Sequence, residues 1–272
     1  MKKLFTSAIA LIAVSLSYGQ GNLDLTTQLG NSNTAVVNQS GLLNFNGLMQ
    51  DGNMNNATID QTGAFNINVA LSQGNRNDID VDQVGAFNMN STEQYGNRNT
   101  ASTDQLGFFN EVEQVQTGNR NNVEAVQIGI GNYAWQIQDG NRNNASALSV
   151  GVGNEVWQHQ IGNDNNASST QFGAGNITGQ HQDGNRNEAD YLQIGVGNYA
   201  ASAQFGNDNE TIGLQLGFDN TIEQTQTGDR NFALDVQIGA DNYTKVTQSG
   251  QDHAHFGLQV GVSNSMVITQ TN

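Results

Sequence analysis

Residues 110–127 read NEVEQVQTGNRNNVEAVQ, and the spacing inside them decides the fold. Asn110 is followed six places later by Gln116, then by Gly118, and Asn121 restarts the same run toward Gln127. Carried outward, Gln recurs every 11 residues from Gln28 to Gln270, interrupted only at Ser72 and Ser149. Gly stands two places after each of these positions, at all 22 sites from Gly30 to Gly261. Asn stands five places after, at 21 of 22 sites from Asn33 to Asn264, with His253 as the exception. One inserted residue would misalign every later side chain, so a register kept this long means that each unit stacks on its neighbours.

The full period is 22 residues, because alternate corners differ. One series reads Asn31, Asn53, Asn75, Asn97, Asn119 and onward, ending in Asp229 and Gln251. At the equivalent place the other is apolar, with Leu42, Ala64, Ala86, Phe108 and Ile130 among its members. The arms between corners fit strands better than helices, since Gly every 11 residues and β-branched runs such as Thr34–Val37 oppose a helix. Asn33, Ala35, Val37 and Gln39 then share one face of an arm. The Gly and Asn at the corners are expected to supply the positive φ of the turn.

The expected fold is an all-β, two-sheet β-solenoid of about eleven 22-residue strand-turn-strand rungs with cross-β stacking. Stacking sets residue i beside i+22. It makes ladders of Gln39, Gln61, Gln83, Gln105 and Gln127, of Asn44, Asn66, Asn88, Asn110 and Asn132, and a glycine column of Gly41, Gly63, Gly85, Gly107 and Gly129. Amides in such columns hydrogen-bond along the stack. Exposed end rungs of matching register are templates for another copy, and no capping segment is evident in the repeat.

Composition agrees with continuous strand pairing. Among 272 residues there are 32 Gly, no Pro and no Cys, so no disulfide or thiolate site exists and no backbone donor is lost to proline. The net charge of −16 argues against general nucleic-acid binding. Lys2 and Lys3, the apolar stretch Leu4–Leu16 and the small residues Ser17 and Gly19 read as a signal peptide over 1–19, with cleavage leaving Gln20 at the start of a repeat domain over 20–272. No second apolar run of spanning length follows, so no membrane insertion is expected after its removal.

The pattern Asn-x5-Gln-x-Gly-x2-Asn-x5-Gln, as in Asn110–Gln127, resembles the curlin repeat of bacterial curli fibres, whose motif has Ser or Asn at its first place. The similarity runs over residues 22–272. It implies a secreted subunit that polymerises with itself into extracellular amyloid fibres at the cell surface, for biofilm matrix and adhesion, helped by secretion and nucleation proteins. The chain departs from the family in carrying about eleven repeats, more than familiar curlins, and only a short segment before the first. An alternative is a monomeric β-solenoid adhesin binding polysaccharide or another repetitive surface.

Columns outside the amides carry the remaining chemistry. Asp60, Asp82 and Asp104 should stack, with Asp78 and Asp80 on the same face, so that their carboxyls titrate high and acid or a divalent cation favours assembly. The plainer reading is a solvated acidic face that limits premature aggregation. Arg76, Arg98, Arg120 and Arg142 form a basic column in the Asn corner, interrupted by Asp164 and Asp208 and resumed at Arg186 and Arg230. It is either a line of guanidinium groups for anionic polysaccharide or simply solvated arginine. Trp135 and Trp157 stack, as do His159 and His181. Two imidazoles without a third ligand make a weak metal site, and His253 with His255 is weaker still. Leu148, Leu192, Leu214, Val236 and Leu258 lie opposite Gln while Asp235 falls on the Gln face, an oddity that fits lateral pairing through the C-terminal half. No phosphate loop, nucleophile triad or isolated carboxylate pair stands apart from the repeat, so neither enzyme nor cofactor is expected.

Overall fold

The computed structural model describes residues 21–272, and the proposed signal segment 1–19 lies outside them. The described residues hold 23 strands and no helix, from β1 (Leu23–Asn31) and β2 (Thr34–Leu42) through to β22 (Ala254–Val262) and β23 (Ser265–Thr271). Odd-numbered strands form a 12-stranded parallel sheet and even-numbered strands an 11-stranded one, each in chain order. Two arms and two corners therefore make one 22-residue rung, and the pairing register sets Gln116 on Gln138 and Gly118 on Gly140 without a slip. The two-sheet solenoid expected from the spacing is the fold observed.

The strands exist because alternate residues are apolar or amide-bearing on one face and charged or small on the other. In β10 (Asn122–Ile130), Val123, Ala125 and Gln127 are buried, while Asn122 and Glu124 point out. The interior is thin. Its hydrophobic content is a set of small clusters, such as Leu48, Ala57, Ile59, Ala70, Ile79 and Val81, and, further on, the smaller side chains Val112, Ala125, Ala134, Ala147 and Val156. More buried side chains are polar than apolar. Burying so many amides is tolerable only if each finds partners, because an unpaired buried amide costs about 1–3 kcal/mol. The fold is thus as much a hydrogen-bonded stack as a hydrophobic core.

The corners show why glycine is obligatory and where the sequence-based expectation of the turn needs correcting. Gly107 has φ +133, and a Cβ built on it meets the carbonyl oxygen of Gly129, one rung on, at 1.9 Å. Neighbouring rungs approach so closely there that a side chain has no room, independently of φ. The second left-handed residue is not Asn but the residue two after Gly: Arg76, Phe87, Arg98 and Phe109 all sit at φ 58–59. The inner Asn is not among the left-handed residues and acts through its side chain instead. The corners continue the ladder, as when Arg98 N–H donates to Asn75 O at 3.0 Å and Thr100 N–H to Asn121 O at 2.9 Å.

Candidate functional site

The chemistry of this molecule is spread along its columns. Gln39 Nε2 donates to Gln61 Oε1 at 2.7 Å, Gln61 to Gln83 at 2.8 Å, Gln83 to Gln105 at 2.8 Å and Gln105 to Gln127 at 3.0 Å. The second hydrogen of each amide goes to a backbone carbonyl across the corner, as from Gln61 to Phe45 O at 3.0 Å. Both donor hydrogens are used, which is the full satisfaction a buried amide needs.

The inner Asn ladder runs the other way. Asn66 Nδ2 donates back to Asn44 Oδ1, and Asn88, Asn110 and Asn132 each donate back one rung, all at 3.1 Å. The backbone N–H of Asn88 reaches the same Asn66 oxygen at 3.1 Å, and its Nδ2 also meets Gly107 O at 3.0 Å. Each Asn therefore clamps three rungs, tying its corner to the rung before and to the glycine carbonyl of the rung after. The ladder and glycine positions expected from the sequence all come together in this way.

Two further inner columns escaped sequence reading. Gln114, Gln136, Gln158 and Gln180 form a second buried glutamine ladder at 2.8–3.0 Å. Asn90 donates to Asn68, and Asn68 to Asn46, at 2.7 Å. The signal was there, since each repeats at 22, but it covers only part of the chain and is hidden by the stronger 11-residue beat. The breaks in the main ladders have distinct outcomes. At Ser72 the hydroxyl and the facing Gln94 Oε1 are both buried without a partner. At Ser149 the hydroxyl donates to Gln171 Oε1 at 3.2 Å and mends the column in part.

The two corners diverge in surface chemistry. On the apolar corner, Phe65, Phe87 and Phe109 stack face to face with centroids 5.0 Å apart. This column was not singled out from the sequence, although its members are 22 apart. On the Asn corner, Arg142 lays Nε and Nη2 against both carboxylate oxygens of Asp164 at 2.6 Å. Arg186 and Asp208 form the same bidentate pair, and so do Arg230 and Asp252. The apparent interruptions of the basic column are thus its partners, and Arg142 is neutralised. Among the described residues, Arg76, Arg98 and Arg120 meet no carboxylate. They line a groove of about 580 Å³ that ends at Arg142, floored by Asn75, Asn97 and Asn119.

Asp60, Asp82 and Asp104 stack in register on the outer face of the even sheet, with Asp78 and Asp80 beside them. Partial burial, then Asp104 and the other carboxylates, hold Asp80 and Asp82 above the usual carboxylate range. The direction is the one expected, but desolvation leads and repulsion follows. On the odd sheet, Trp135 and Trp157 lie 5.5 Å apart, and His159 and His181 5.0 Å apart, joined into one string by a 6.1 Å Trp135–His159 contact and a 5.5 Å His181–Phe205 contact. Burial, and after it His181, pushes the His159 imidazole below its ordinary pKa. Among the described residues no three His, Asp or Glu side chains converge as metal ligands would. His253 and His255 do not meet either. His253 replaces an inner Asn, its N–H donating to Asn231 Oδ1, while His255 turns inward to Asp235 at 3.0 Å. The buried Asp235 also accepts from Gln224 at 2.8 Å, which explains a carboxylate on the Gln face. Leu148, Leu192, Leu214 and Val236 lie half-buried on the outer face of the even sheet, and Leu258 is exposed there.

Compared with known families, the chain matches the curlin associated repeat over residues 184–212 and 217–250. Among curated proteins, none matches it. The matched segments hold the same Gln, Gly and Asn columns as the rest of the rod. Over these segments the repeat, with the solenoid that carries it, is similar to that of curli-like structural subunits.

Proposed function

We propose that the chain is a secreted subunit that assembles with itself into extracellular, curli-like amyloid fibres serving biofilm matrix and surface adhesion. The observation that carries this is the sameness of the rung-to-rung bond: the same Gln, Asn and backbone contacts recur at nearly every step between β1 and β23. A rung of a second copy has the same donors and acceptors to offer, so addition at a rod end uses contacts the molecule already makes. Export by the 1–19 signal segment and help from secretion and nucleation proteins belong to the same proposal. The matched curlin associated repeats support it.

Seeded and unseeded growth, followed by an amyloid dye with electron microscopy of the product, tests it. Filaments with a cross-β spacing of about 4.8 Å along the axis, appearing sooner with seeds, are expected. A folded monomer that yields no filaments with or without seeds overturns it.

A further inference from the structure

The free stretch of the Asn corner has features of a ligand groove. Arg76, Arg98 and Arg120 stand on successive rungs, so their guanidinium groups repeat at the strand spacing of about 4.8 Å. All three are exposed, in a chain whose net charge is −16. Like charges set this close repel one another, and an anion lying along them relieves that repulsion. Further along the same corner the molecule shows the arrangement that satisfies such an arginine: the carboxylate of Asp164, one rung on, lies side-on against Arg142 with two bonds of 2.6 Å. Arg76, Arg98 and Arg120 share the backbone of Arg142, with φ between 57 and 59, and lack only the carboxylate.

We propose that this groove binds a linear acidic polysaccharide carrying a carboxylate on its monomers. Those carboxylates take the place that Asp164 takes at Arg142. The planar guanidinium fork suits a carboxylate better than a point charge would. Asn75 and Asn97 each spend one amide hydrogen on the next rung, at 2.9 Å, and keep the other for a hydroxyl oxygen; the Asn97 carbonyl, which accepts from Asn75 alone, also keeps a lone pair, whereas that of Asn75 is filled by two bonds from Asn53. The lining of Asn, Arg and Met contains no aromatic ring, so it has no platform on which the bases of a single-stranded nucleic acid could stack. The site is complete within one chain and does not rest on fibre formation, although a fibre would repeat it and raise its avidity.

The test uses the full chain, as soluble solenoid and as any assembled product, with polygalacturonate as probe and a neutral glucan, polyphosphate and single-stranded DNA as comparisons. Wild type should bind polygalacturonate with an affinity that falls as salt rises, and bind the neutral glucan far more weakly. The triple variant R76Q/R98Q/R120Q should lose about tenfold or more in affinity, in line with three lost anion contacts. R186Q/R230Q, which removes arginines already paired with Asp208 and Asp252, should change it less than about twofold. R76K/R98K/R120K keeps the charge but not the fork, and should bind between wild type and the glutamine variant. This lysine variant still decides the matter if the glutamine variant fails to fold. Unchanged binding by either triple variant overturns the proposal, as does equal binding of the neutral glucan. Tighter binding of polyphosphate or DNA than of the uronate polymer overturns the choice of ligand.

Discussion

The Asn corner of the first half of the rod and that of the second share one backbone and carry opposite charge arrangements. From Arg76 to Arg120 the left-handed position holds cations alone, and the strands beside them carry the Asp60–Asp104 column. From Arg142 to Asp252 cations and anions alternate, each arginine closing on the aspartate one rung on. The first half thus keeps unlike charges on separate faces, leaving each free to act on something outside. The second half cancels them locally. An invariant scaffold can hold both arrangements because glycine and the amide ladders, not the corner side chains, supply the stacking.

The largest effect should come from testing whether the two halves truly share that scaffold. Gly107→Ala and Gly217→Ala each drive a Cβ into a neighbouring carbonyl oxygen, at 1.9 and 1.8 Å, at φ +133. Both should cost more than about 3 kcal/mol in chemical denaturation. A mild effect in one half alone would break the claim of a common backbone. Next comes the ladder. Gln83→Ala removes bonds to Gln61, Gln105 and Ile67 O and should cost about 1–3 kcal/mol. Ser72→Gln, by contrast, fills the gap facing the orphaned Gln94 Oε1 and should gain about 1 kcal/mol.

Acid should separate the halves in sign. Asp80 and Asp82 lie above their ordinary 3.8, so the folded state holds more protons than the unfolded one, and acidification through the window above 3.8 adds stability. Asp164, Asp208 and Asp252 lie below it, chiefly through their arginine hydrogen bonds. Their contribution is present above 3.8 and is lost as pH falls through their folded values. Denaturation across pH should show a gain in mild acid that D80N/D82N abolishes, followed by a loss at lower pH that D164N/D208N/D252N reduces. A gain that persists in D80N/D82N would remove these two residues as its source. The smallest effect is expected from D164N alone: little change in stability, and a modest rise in polygalacturonate affinity as Arg142 joins the free column.

Much of this was legible before the structure, for a physical reason. A solenoid repeats one environment, so Gln39 and Gln127 need the same residue for the same cause, and the period displays the contact map. The Gly column, both ladders and the alternation of faces follow from spacing alone. The turn was misread because Asn commonly tolerates positive φ, whereas here its amide is occupied with the previous rung, and Arg98 or Phe109 takes the left-handed place. Asp164 and Asp208 read as interruptions because periodicity reports which residues are neighbours and not whether neighbours attract. Gln114–Gln180 and Phe65–Phe109 span too few rungs to stand out from the shorter beat.

The opposed directions of the Gln and inner Asn ladders reach beyond stability. Any cut across the rod exposes two unlike faces: one offers Gln oxygens with Asn hydrogens, the other Gln hydrogens with Asn oxygens. A face mates with its opposite and sets donor against donor when met by its twin. One ladder's dipoles point along the axis and the other's point back, so the two oppose each other along the rod. Its sense of direction is written locally, in each pair of amides, and a broken rod can rejoin in one orientation only.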